Sequence, residues 1–90
     1  MQVNNKLIEL QMHHYIKVQL INIEFYEKKR DRIEKLKQLE LKNEPSTLFK
    51  NKHHEWKKKI ESYNKELEEI NLLSLKEKQE LEELIESLKN

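Results

Sequence analysis

The side chains best suited to chemistry in this chain are four histidines, His13, His14, His53 and His54, and a dense set of lysines and arginines around the midpoint. Histidine moves protons or ligates metals near neutral pH, and clustered cations hold phosphates. The histidines form two adjacent pairs, and neighbours on a helix point about 100° apart instead of converging on one ion. No His-x-x-x-His spacing occurs, so no metal site is expected. With no Cys there is no thiolate nucleophile, disulfide or Cys-based zinc site. With no Gly there is no phosphate-cradling loop, and no Ser lies in a nucleophile context. The expectation is a binding protein and not an enzyme, with no catalytic residue, cofactor or small-molecule substrate.

The cations are unevenly spread. Residues 27–37 carry six basic and three acidic side chains (+3), residues 50–59 five and one (+4), and residues 61–90 nine Glu against four Lys (−5). Lys28, Lys29, Arg30, Arg32, Lys57, Lys58 and Lys59 thus form a candidate phosphate-binding tip, whose grip on a nucleic acid would be sequence-blind and salt-sensitive. Lysine-rich faces are also ordinary on solvated helices, and acidic residues interrupt the run.

Helices must position all of these groups. Asp, Glu, Lys and Arg make up 39% of the 90 residues, with no Gly and one Pro, which leaves almost no turn chemistry for strands. Asn43, Glu44, Pro45, Ser46 and Thr47 are the one turn cluster, at the midpoint. Proline cannot continue a helix from upstream but suits a helix start, and Ser46 or Thr47 can cap the second helix. The fold class is therefore all-α: an antiparallel two-helix coiled-coil hairpin forming one domain over 1–90. Its first helix covers about 3–42, its turn 43–47 and its second helix about 47–89.

The second arm has a heptad seam: Phe49, His53, Trp56, Ile60, Tyr63, Leu67, Ile70, Ser74, Glu77, Leu81, Leu84 and Leu88 alternate by four and three. Ser74 and Glu77 also form a capping-box pattern, which offers a break at 71–74, although the heptad phase is the same on both sides.

The first arm carries two apolar stripes. Leu7, Leu10, His14, Val18, Ile21 and Phe25, then Ile33 and Leu36 after a drift of phase, are expected to face the second arm. With the turn centred near Pro45, this sets Ile33 near Trp56 and Ile60, Phe25 near Leu67, and Leu7 near Leu84. It also gathers His14, Ser74 and Glu77 into one polar layer that fixes register. The second stripe, Ile8, Met12, Ile16, Leu20 and Ile23 with Tyr15 and Tyr26 at its margin, is then left for a partner. A second copy is the economical partner, giving a homodimeric four-helix bundle. Folding back of the last fifteen residues over this stripe is the alternative within one chain.

In length and hairpin shape the chain resembles the small helical-hairpin proteins of type VII secretion systems, although it has no Gly with which to make their Trp-x-Gly turn. Its Lys, Asn, Ile and Glu bias resembles that of AT-rich Gram-positive bacteria and their phages. There is no membrane-length apolar run and no signal-peptide pattern in the first twenty residues, so a cytoplasmic location without a membrane partner is expected. The functional expectation is a small coiled-coil adaptor or inhibitor that binds a partner protein through a helix face. The alternatives are a nucleic-acid-binding accessory factor and a small subunit of a larger complex.

Overall fold

A computed structural model describes residues 2–89, with side chains from Lys6 onward. Two helices account for nearly all of it: α1 (Gln2–Lys42) and α2 (Lys50–Lys89). They pack antiparallel into a rod of 75 × 15 × 15 Å. No helix among the described residues is long and apolar enough to cross a membrane. α2 runs unbroken through Ser74, because a continuous seam outweighs the local capping pattern.

The turn is longer than its composition suggests. Residues 43–49 lie outside both helices, and α2 starts at Lys50 instead of at Thr47. Ser46 does not cap α2. Its Oγ accepts from the Leu48 N–H at 3.3 Å and its carbonyl from the Phe49 N–H at 3.1 Å, and the helical pattern opens with His53 N–H to the Phe49 carbonyl at 2.9 Å. These local bonds tighten the reversal around Thr47–Phe49.

The seam of α2 lies where the heptads place it. Leu67, Ile70 and Ser74 are buried, and every other seam position except exposed Phe49 is half-buried. The facing positions of α1 are Met12, Ile16, Gln19, Ile23, Tyr26, Arg30, Ile33, Lys37 and Glu40, again alternating by four and three and all buried or half-buried. This overturns the expected division of α1. Met12, Ile16 and Ile23 belong to the hairpin's own seam, whereas Leu7, Leu10, His14, Val18, Ile21 and Phe25 are exposed. The reason is phase: only the Met12–Ile23 stripe reaches Ile33 without a slip.

Register shifts as well. Ile33 packs with Leu67 and Ile70, with Tyr26 and Tyr63 at the margin of the cluster, about three helical turns beyond the expected Trp56 and Ile60. Cross-bridges agree: Trp56 Nε1 donates to the Glu40 carbonyl at 2.8 Å, and Lys78 pairs with Glu27 at 3.3 Å. The polar layer therefore loses His14, which is exposed, and gains Gln19. Gln19 Oε1, Ser74 Oγ and Glu77 Oε2 are buried atoms without a hydrogen-bond partner.

The core is slender. Ile23, Ile33, Leu67 and Ile70 are its buried apolar residues, and a rod of two helices gives each seam side chain only one facing neighbour. Half-buried Arg30, Lys37 and Glu40 extend the seam toward the turn, where their aliphatic stems can cover apolar surface while the charges reach solvent.

Candidate functional site

The principal feature on the surface is the back of α1. In a heptad frame Leu7, Leu10, His14, Val18, Ile21 and Phe25 fall on the side opposite the seam, so α2 cannot reach them. Phe25 is 60% exposed and Ile21 57%, against 8% for Ile23 only two residues from either. The stripe extends from residue 7 to 25, roughly 27 Å along the helix. Beyond Phe25 the same side continues with Lys28, Arg32 and Lys35, all exposed.

Of the residues expected at a dimer or partner interface, the structure sends Met12, Ile16 and Ile23 into the seam. Ile8, Tyr15 and Leu20 stay more than half exposed on the flanks of α1. An open groove lined by Leu7, Leu10, Gln11, His14 and Tyr15 links one flank to the back.

The cations expected at a phosphate-binding tip do not share one face. Lys28 pairs with Glu24 at 3.0 Å, Arg30 with Asp31 at 3.3 Å, and Lys59 with Glu40 at 3.4 Å. Lys29, Arg32, Lys57 and Lys58 are exposed around the shaft. Trp56 is held in the seam by its bond to Glu40, so its ring is no platform for a base. The His53 ring packs tilted against Trp56 with centroids 5.4 Å apart and meets Glu44 Oε1 at 3.1 Å, which ties the turn to α2. His13, His14 and His54 are exposed, and no group of three or more metal-ligating side chains gathers among the described residues.

A feature that heptad periodicity passes over lies at the apex. Leu48 is 87% exposed and Phe49 60%, where the heptad pattern put Phe49 in the seam. Lys52 Nζ sits 5.5 Å from the centre of the Phe49 ring. The signal was present as a Leu-Phe pair between turn residues and Lys50.

Comparison with protein-family models, with curated proteins and with solved structures finds no match for this chain.

Proposed function

We propose that this chain is a non-catalytic protein–protein interaction module whose outward α1 face binds a second copy of itself, antiparallel. The observation that carries the reading is the exposed stripe opposite the seam, since an apolar strip of this length is costly in water and usually marks an interface. A slender core adds to the case, because association supplies burial that two helices cannot provide alone.

The stripe is nearly its own mirror about the level of residue 16. Antiparallel pairing about that level sets Leu7 against Phe25, Leu10 against Ile21 and His14 against Val18, as a two-fold interface requires. The same pairing carries the basic segment 27–37 of each copy past the N-terminal end of the other's α1, so the two like-charged segments lie apart. A parallel pair would instead set like charges side by side. Because the stripe lies opposite the seam, the four helices form a layer with both α1 helices inside and both α2 helices outside. This replaces a compact four-helix bundle.

Cysteine trapping tests both the face and its polarity, since the chain has no cysteine of its own. Mixing the Leu7→Cys and Phe25→Cys variants under mild oxidation should give a 7–25 disulfide dimer much faster than either variant alone gives a homodimer. Faster trapping within each variant alone would contradict antiparallel pairing.

A further inference from the structure

We infer that the apex of the hairpin is a peripheral membrane-binding tip, in which Leu48 and Phe49 enter the headgroup boundary of an anionic lipid surface and a collar of lysines binds the headgroups. Leu48 is the most exposed large hydrophobic residue among those described, and Phe49 beside it is 60% exposed. Both sit in the reversal at the narrow end of a 75 Å rod, so the apex can meet a flat surface without the shaft interfering. The bonds from Leu48 and Phe49 N–H to Ser46 hold the pair in place, which reduces the ordering cost of insertion.

The surrounding charge selects the partner. Lys42, Lys50, Lys52, Lys57 and Lys58 are exposed, and the nearest acid in the turn, Glu44, is engaged by His53. Two apolar side chains inside a basic collar match a negatively charged interface, with the apolar pair reaching past the phosphates and the lysines remaining among them. A nucleic acid is a poorer fit. It offers no place for an exposed leucine at the apex, the Trp56 ring is locked in the seam, and the cations encircle the shaft instead of tracking one groove. The absence of a membrane-length apolar run does not bear on this mode, because a tip needs only a few side chains at the boundary.

Co-sedimentation of the full chain with vesicles tests the inference. Vesicles of phosphatidylcholine with about 30% phosphatidylserine should bind the protein, and pure phosphatidylcholine vesicles should bind it far more weakly. The Leu48→Ser/Phe49→Ser double variant should lose about tenfold or more in partitioning while keeping wild-type helicity by circular dichroism. Each of Lys50→Gln and Lys52→Gln should cost roughly fivefold. Lack of vesicle binding would overturn the inference, as would binding unchanged in the Leu48/Phe49 variant, which would show adhesion by charge alone. Duplex DNA binding tighter than vesicle binding would overturn it in favour of a nucleic-acid tip.

Discussion

At the residue scale, Ser74 is 6% exposed and its hydroxyl has no partner, so its burial is a cost the seam absorbs. Replacing it with Ala removes the unpaired hydroxyl, adds no volume and raises helix propensity. Ser74→Ala should therefore stabilise the protein by about 1 kcal/mol, read as a higher urea midpoint at unchanged slope. A lower midpoint would show that the hydroxyl is satisfied. Gln19 and Glu77 share the shortage, and a polar layer of this kind trades stability for a fixed register. The apolar core has the opposite sign. Ile33 and Ile70 are each 5% exposed, and truncating either to Ala should cost about 2–4 kcal/mol in the same denaturation. Leu72→Ala, on the exposed back of α2, should change stability by less than about 0.5 kcal/mol.

At the element scale, the two helices were not equally legible. The α2 seam stood out because its apolar positions alternate with Lys and Glu, leaving one face to bury. α1 is apolar on opposite sides of its first half, and periodicity finds both stripes without saying which one α2 covers. The discriminating residue was Ile33, which continues Met12, Ile16, Ile23 and Tyr26 in strict heptad phase. Arg30, Lys37 and Glu40 hid that continuation, because long polar side chains at seam positions read as surface. Register was hidden for a different reason, as the turn's hydrogen bonding delays α2 to Lys50, a detail of local geometry that composition does not encode. Trp56 then pins the pairing through Glu40. Trp56→Phe keeps most of the ring and loses the 2.8 Å bond, and should cost about 1 kcal/mol, measured by thermal unfolding.

At the scale of the whole molecule, shape and charge work together: the rod has a basic half near its turn and an acidic open end, and its exposed apolar stripe lies toward the open end. Antiparallel association about residue 16 leaves both tips projecting, so small-angle scattering should show a longest dimension of about 100 Å, against 75 Å for one hairpin. The most direct test of the central claim compares two glutamate substitutions on opposite sides of α1, using mass by light scattering and helicity by circular dichroism. Ile21→Glu, on the exposed back, should convert a dimer into a monomer that stays helical. Ile23→Glu, in the seam, should unfold the hairpin by burying a charge without a partner. A wild-type protein that stays monomeric at high concentration, or a folded monomer from Ile23→Glu with Ile21→Glu still dimeric, would contradict the account.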